Sequence, residues 1–129
     1  DLVIEADGVT ILPETIDGTS FRFVVPAAAS VVLRSNAGVL GQVMPGLADR
    51  RVLGVAVCGL VVNGNAADLD DALFGAGFHQ VERQDTLAWR WSDGTGTLEF
   101  GGEPATIEVS LAMVAPSWKR ATAMPRIAA

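Results

Sequence analysis

One long apolar run constrains the fold of this 129-residue chain more than any other feature. The run extends from Val52 to Val62 and consists of β-branched residues, small residues and glycine. Valine and glycine both disfavour a helix, and a continuous apolar run of this length is typical of a strand that is covered on both faces. The run therefore predicts a central strand, in which Gly54 or Gly59 allows a bulge or the close approach of a neighbour.

Segments on both sides of this run alternate between apolar and polar residues, as half-buried strands do. The same alternation covers residues 20–25, where Phe21, Phe23 and Val25 share one face. Turn signals such as Asp7-Gly8 separate further short strands at residues 2–7, 9–12, 31–35, 87–91 and 95–100. The clearest alternation covers residues 105–113, with one inward set and one outward set: Ile107, Val109, Leu111 and Met113 against Thr106, Glu108 and Ser110.

One segment has the pattern of a helical turn. Residues 68–74 begin with acids, which favour the start of a helix, and Gly75 follows as a stop signal. Because strands and helices do not alternate along the chain, parallel α/β folds are excluded. The whole pattern predicts an all-β fold over residues 1–115: an antiparallel β-sandwich or jelly-roll with one short helical turn. Residues 116–129 have no periodicity, and we expect an irregular C-terminal tail there.

The charge balance excludes two classes of partner. Nine Lys and Arg residues against fifteen Asp and Glu residues give a net charge of −6. Binding to nucleic acid or to an anionic membrane requires a basic patch, which a chain this acidic does not supply. No apolar run reaches the length of about eighteen residues that a membrane-spanning helix needs, so we expect no membrane insertion.

Cys58 is the single cysteine of the chain, which excludes an intramolecular disulfide. It lies inside the long apolar run. Because cysteine is among the most buried residue types, we expect its thiol to be buried and unreactive.

The motifs of metal sites, hydrolases and phosphate-binding loops are absent. One histidine and one cysteine do not form a zinc-binding pattern. The acids at Asp68, Asp70 and Asp71 lack the order of a calcium-binding loop. No G-x-S-x-G motif occurs, and no glycine-rich stretch continues into Lys-Ser or Lys-Thr. We therefore expect no metal, no cofactor and no catalytic activity.

A polar and aromatic stretch at residues 77–94 is the one candidate site. It holds the only histidine, two of the three tryptophans, and several charged residues. An indole ring beside charged side chains resembles the way proteins bind sugars, with the ring stacked on the sugar and the charged groups on its hydroxyls. The predicted ligand is a carbohydrate, with Trp91 as the stacking ring and four polar partners: His79, Glu82, Arg90 and Asp93.

Two other interpretations of this stretch stay open. In the first, Arg90 forms a structural ion pair with Glu82 or Asp93, and His79 satisfies a backbone carbonyl. The domain then serves self-association, as a homo-oligomer, or the presentation of a neighbouring domain. In the second, Glu82 and Asp93 are the two carboxylates of a glycosidase, which must lie about 5 Å apart or somewhat wider. Arg34, inside another apolar strand, also needs a carboxylate partner, for which Asp49 is a candidate.

Four short motifs are spread along the chain: Leu33-Arg34-Ser35, Asp49-Arg50-Arg51-x-Leu53-Gly54-Val55-x-Val57, Gly77-Phe78-His79-x-x-Glu82 and Trp89-Arg90-Trp91-Ser92-Asp93-Gly94. Together they resemble the β-rich accessory region at the C-terminus of bacterial Hint (hedgehog/intein-like) domain proteins. Similar stretches occur in regions attached to bacterial glycosyltransferases and polysaccharide proteins. The resemblance implies an extracellular or cell-surface glycan context. It does not imply the self-cleavage of the Hint module, because neither Cys58 nor His79 lies in a motif of that module.

Overall fold

The chain forms strands throughout the part that the computed structural model describes, residues 2–39 and 51–114. Within these two ranges there are thirteen strands and no helix. The strands are β1 (Val3–Ala6), β2 (Val9–Ile11), β3 (Thr15–Asp17), β4 (Ser20–Val25), β5 (Val31–Arg34), β6 (Gly38–Val39), β7 (Val52–Leu53), β8 (Val55–Val62), β9 (Asn65–Ala67), β10 (Phe78–Gln84), β11 (Leu87–Ser92), β12 (Thr95–Thr97) and β13 (Ala105–Val114).

Two antiparallel sheets make up the body of the molecule. The smaller sheet has the order β12-β5-β1-β2, and the larger has the order β10-β11-β8-β13-β4-β3, with β9 paired to β8. β6 and β7 form a separate ribbon. The predicted all-β sandwich is confirmed, and the strand order is compatible with a jelly-roll. The predicted tail at 116–129 and the candidate partner Asp49 lie outside the described residues.

The hydrophobic core lies between the two main sheets. The smaller sheet contributes Ile4 and Leu33, which are almost fully buried. The alternation predicted for residues 105–113 is confirmed as far as residue 112, because Ile107 and Val109 are fully buried while Glu108 is exposed; the side chain of Met113 lies outside the described part. The remaining buried residues of this core come from both sheets and their connections: Leu2, Ala6, Phe23, Val25, Ala28, Val31, Val55, Val57, Leu60, Phe74, Leu98, Ala105 and Leu111.

Two hairpin corners have the backbone that their sequences predict. At the β1–β2 corner, Asp7 and Gly8 have φ values of 49° and 84°. At the β8–β9 corner, Asn63 and Gly64 have φ values of 52° and 82°. Positive φ at both central residues is the requirement of a type I′ turn, which Asp-Gly and Asn-Gly meet at low steric cost. These turns fix the register of the strands that they join.

The long apolar run forms β7 and β8, and the predicted bulge lies beside Gly59. Ser110 of β13 pairs with Gly59 and Leu111 pairs with Val57, so Cys58 has no partner on that strand. On its other side, β8 pairs with β11 at Val57 and with β9 only from Leu60 onward. Cys58 therefore lies in a gap between two partner strands, and its side chain is exposed. The prediction of a buried thiol is wrong.

Gly54 allows the close approach that the sequence predicts. A Cβ atom at this position would lie 2.7 Å from the hydroxyls of Ser35 and Ser92 and 2.8 Å from the amide nitrogen of Gly94. Ser92 is 1% exposed, and its hydroxyl accepts a hydrogen bond from the Val55 amide at 3.2 Å. Gly54 thus separates β7 from β8 at a point where three chain segments meet.

Residues 68–74 form two successive turns rather than the predicted helical turn. The Asp71 amide donates to the Asp68 carbonyl at 3.0 Å, and the Phe74 amide donates to the Asp71 carbonyl at 3.1 Å. The Asp71 carboxylate accepts the Leu73 amide at 3.0 Å, which competes with helical hydrogen bonding. Because Gly75 follows at once, the segment ends before a helix begins.

Candidate functional site

Arg90 lies on the inner face of the larger sheet, directly opposite the core residue Val57. Its Nε donates to the His79 carbonyl at 2.6 Å, and its terminal nitrogen donates to the Leu69 carbonyl at 2.7 Å. The guanidinium carbon is also 5.2 Å from the centre of the Phe74 ring, which is within cation–π range. We call Arg90 with these three contacts the Arg90 clasp. The carboxylate partner that the sequence predicts is replaced by carbonyl oxygens.

The clasp holds the connection between β9 and β10 against the end of the sandwich. This connection also hydrogen bonds to the edge strand of the smaller sheet, since the Gly75 amide donates to the Thr97 carbonyl at 2.9 Å and the Thr97 amide donates to the Ala76 carbonyl at 2.8 Å. Phe74 packs edge-on against Phe78, with ring centres 5.0 Å apart. The connection therefore closes one side of the sandwich by joining its two sheets.

His79 and Glu82 both contact the segment that contains β7. His79 Nε2 lies 2.8 Å from the Val52 carbonyl oxygen, as the structural interpretation of this residue predicts. Glu82 forms a salt bridge with Arg51. The Arg51 side chain is 37% exposed and the Glu82 side chain is 32% exposed. These two contacts attach the segment around Val52 to β10. Glu82 therefore pairs with an arginine other than Arg90.

The two tryptophans of β11 share one face, as their spacing predicts, but they differ in burial. Trp91 lies opposite Ala56 of β8 and packs with it and Leu53, leaving Trp91 only 6% exposed. Its ring is therefore covered, which differs from the exposed stacking surface predicted for it. Trp89 packs against the same cluster, is half-buried, and lies opposite Glu82. It is the tryptophan of β11 that solvent reaches.

Asp93 forms the turn between β11 and β12. One carboxylate oxygen accepts the Thr95 amide at 2.9 Å and lies 3.1 Å from the Thr95 hydroxyl. The Asp93 amide donates to the Gly77 carbonyl at 2.8 Å. This is the local bonding by which aspartate stabilises turns.

The five predicted site residues are close in the chain but do not converge on one surface. Arg90 faces the core, Trp91 and Glu82 face the other side of the sheet, and Asp93 lies at the strand end. Since Glu82 is opposite Trp89, the two acids are four residues apart along the strand, or roughly 13 Å at 3.3 Å per residue. This spacing exceeds the separation of glycosidase carboxylates.

The sequence predicts no role for Trp89 and Ser92, although both lie in the stretch 77–94, and it does not link Arg51 to Glu82. Nothing in the sequence distinguishes Trp89 from Trp91, because both lie on the same face of a strand. Arg51 contacts Glu82 only because the β7 segment crosses this part of the sheet. The carboxylate partner predicted for Arg34 exists, but it is Glu5 on the neighbouring strand, at 2.8 Å.

A separate groove lies at the end of the sandwich where the β4–β5 and β12–β13 connections meet. Its volume is about 400 Å³, and it is lined by residues 28–31 and 97–102. Apolar side chains and backbone form most of its wall, with Glu99 and Phe100 among the lining residues. None of the five predicted site residues lines it.

The described ranges hold no group of three His, Cys, Asp or Glu side chains placed as metal ligands would be. They also contain no helix that is long and apolar enough to cross a membrane. Comparisons of the chain with protein-family models, with curated proteins and with solved structures gave no match. The class that the structure defines is thus an all-β sandwich, and the resemblance to Hint-associated regions stays a prediction.

Proposed function

We propose that this chain is a non-catalytic accessory domain that serves assembly or the presentation of a neighbouring domain, and that the residues around Arg90 stabilise its fold. The Arg90 clasp supports the second part of this proposal, a structural role for the residues around Arg90. The guanidinium donates hydrogen bonds to two carbonyl oxygens and lies beside the Phe74 ring, on the face of the sheet that points to the core. His79 and Asp93 likewise contact the backbone of their own chain.

Replacing Arg90 tests whether its contacts stabilise the fold. Arg90→Met keeps much of the side-chain volume but leaves the carbonyls of Leu69 and His79 without their donor. Since hydrogen bonds to charged groups contribute about 1.5–3 kcal/mol, we expect the free energy of unfolding to fall by about 2–4 kcal/mol in urea denaturation.

The matched control is Arg83→Met on the neighbouring strand. The Arg83 side chain is 64% exposed and makes one long contact of 4.0 Å to Asp70. An exposed pair of this kind contributes less than about 1 kcal/mol, so this variant should unfold close to the wild type. Equal stability of the two variants would remove the support for a structural role of Arg90.

Carbohydrate binding is the second candidate function, and one observation favours it. On the outer face of the larger sheet, the half-buried ring of Trp89 lies opposite Glu82, which forms a salt bridge with Arg51. A flat ring beside a carboxylate and a guanidinium has the chemistry of a sugar-binding surface. The resemblance to regions attached to glycosyltransferases supports the same ligand class.

A glycan array tests the second candidate. If the outer face binds sugar, the wild type gives specific signals, and Trp89→Ala loses them because the stacking ring is removed. Val24→Ala is the control, since Val24 is an exposed apolar residue of β4, three strands away in the same sheet, and its replacement should leave the signals unchanged. A blank array for the wild-type domain rejects sugar binding and leaves the assembly proposal in place.

A further inference from the structure

The corner between β8 and β9 holds the one asparagine of this chain that a glycine follows, Asn63 before Gly64. The other two asparagines, Asn36 and Asn65, each precede an alanine. An asparagine side chain loses its amide group when the backbone nitrogen of the next residue attacks its Cγ atom. Glycine in the next position permits this attack most readily, because no Cβ atom hinders the approach of its nitrogen. Asn63 is therefore the asparagine that deamidates fastest in the unfolded chain.

The β8–β9 corner is also open to solvent. Asn63 and Gly64 are both exposed. A Cβ atom placed on Gly64 would meet no atom within 4 Å, so no other part of the described chain covers the glycine. Hydroxide and water, which the reaction needs, therefore reach both residues in the folded protein.

The backbone of the turn holds the two reacting atoms apart. Asn63 has a φ value of 52° and Gly64 a φ value of 82°, and the first central residue of such a type I′ turn has ψ at roughly +30°. At this ψ, the Gly64 nitrogen and the Asn63 side chain lie on opposite sides of the Cα–C bond. Bringing them together requires ψ of roughly −120°, which is the first position of a type II′ turn and strongly favours glycine.

Thr106 of β13 holds the Asn63 side chain in the same arrangement. Its amide donates to Asn63 Oδ1 at 2.9 Å, and its carbonyl accepts the Asn63 amide at 2.8 Å. The side chain of Asn63 cannot turn toward Gly64 while Oδ1 keeps this hydrogen bond. The corner must therefore open locally before the ring can close.

We propose that Asn63 is a self-modification site of this protein, at which deamidation proceeds only through opening of the β8–β9 corner. The Gly64 nitrogen gives its proton to hydroxide and bonds to Asn63 Cγ, and the side-chain amide takes a proton from water and leaves as ammonia. Water then opens the resulting succinimide ring at either of its carbonyls, which yields aspartate or isoaspartate. Water is the only co-reactant.

The two products differ in what they do to the fold. Aspartate keeps the backbone length and an oxygen atom for the Thr106 amide. Isoaspartate adds the Cβ atom of residue 63 to the backbone, so a two-residue turn no longer joins the strands. Release of ammonia makes the change irreversible, and β9 then loses the turn that fixes its register on β8. This inference concerns a different part of the chain from the Arg90 clasp and does not depend on it.

Incubation of the full chain at mildly alkaline pH, followed by peptide mass spectrometry, tests the site. We expect the mass change from amide to acid at Asn63, while Asn65 and Asn36 stay unmodified over the same time. Asn65 is the matched internal control, because it is exposed in the same hairpin and differs in preceding an alanine. Deamidation that appears first at Asn65 or Asn36 would overturn the assignment.

Thr106→Pro tests the control by opening. Proline has no backbone N–H, so Asn63 Oδ1 loses its donor, and we expect deamidation at Asn63 to become about fivefold faster. Thr106→Val keeps the N–H, and its rate should stay within about twofold of the wild-type rate. An unchanged rate in a folded Thr106→Pro variant would contradict the mechanism.

A comparison of folded and unfolded wild type tests the same mechanism if Thr106→Pro does not fold. We expect Asn63 to deamidate at least about tenfold more slowly in the native protein than in concentrated urea at the same pH, because only the open corner reacts. Equal rates in the two conditions would show that the turn and Thr106 do not restrain the reaction, and would overturn the proposal.

Discussion

At the scale of single residues, Arg90 shows how a charged side chain is accommodated on the inner face of a sandwich. Its neighbour across the strand pair is the buried Val57, so the guanidinium is partly shielded from water and needs partners. The partners are carbonyl oxygens of Leu69 and His79, from parts of the chain that no sequence pattern links to Arg90. The sequence predicts that Arg90 and His79 need polar partners. It cannot predict which atoms supply them, because only the tertiary fold brings those carbonyls near.

Gly54 provides a prediction at the same scale. Gly54→Ala places a Cβ atom 2.7–2.8 Å from Ser35, Ser92 and Gly94, and one of these contacts is with backbone. Relief requires the chain segments to move apart, so we expect a loss of about 1–3 kcal/mol in the free energy of unfolding. Gly59→Ala is the control, since its Cβ would lie 3.4 Å from the nearest atom, in ordinary contact. Urea denaturation of both variants measures the difference, and similar stabilities would contradict the packing described at Gly54.

At the scale of elements, local signals predict most of the strands. Period-two alternation identifies β4 and β13, and the pair Asp7-Gly8 identifies a hairpin corner. The long apolar run correctly predicts β8 and a bulge beside Gly59. The exposure of Cys58 is missed because it depends on where β11 stops and β9 begins along β8. That position is a property of strand pairing and leaves no signal in the residues around Cys58.

The exposure of Cys58 leads to a chemical prediction. Its thiol should react with Ellman's reagent in the native protein at a rate close to that of the protein in denaturant, since access limits the reaction of buried thiols. The control is Cys58→Ser, which should give no absorbance change because it removes the single cysteine. A native-state reaction that is slower than the denatured-state reaction by a factor of a hundred or more would show that the thiol is covered.

At the scale of the whole molecule, the two edges of the sandwich differ in how they end. One edge is closed by the Arg90 clasp and by the hydrogen bonds of Gly75 and Ala76 to β12, and the other edge leaves Val9 and Ile16 exposed. The sandwich class follows from composition and strand pattern, but this asymmetry does not, because it depends on which strands become edges. For the same reason, the sequence does not predict which tryptophan is exposed on the predicted sugar-binding surface. Period two places Trp89 and Trp91 on one face, but Trp91 becomes the covered ring through tertiary packing with Leu53 and Ala56.

The central claim is that Arg90 holds the connection between β9 and β10 in place, and amide hydrogen exchange of Arg90→Met tests it most directly. In the wild type, the amides of Leu73, Phe74 and Gly75 are hydrogen bonded, and their protection should be well above that of exposed turns. In the variant, we expect these amides to exchange at least ten times faster through local opening, while amides at the centre of β13 lose far less protection. Unchanged protection of Leu73, Phe74 and Gly75 in Arg90→Met would contradict the claim.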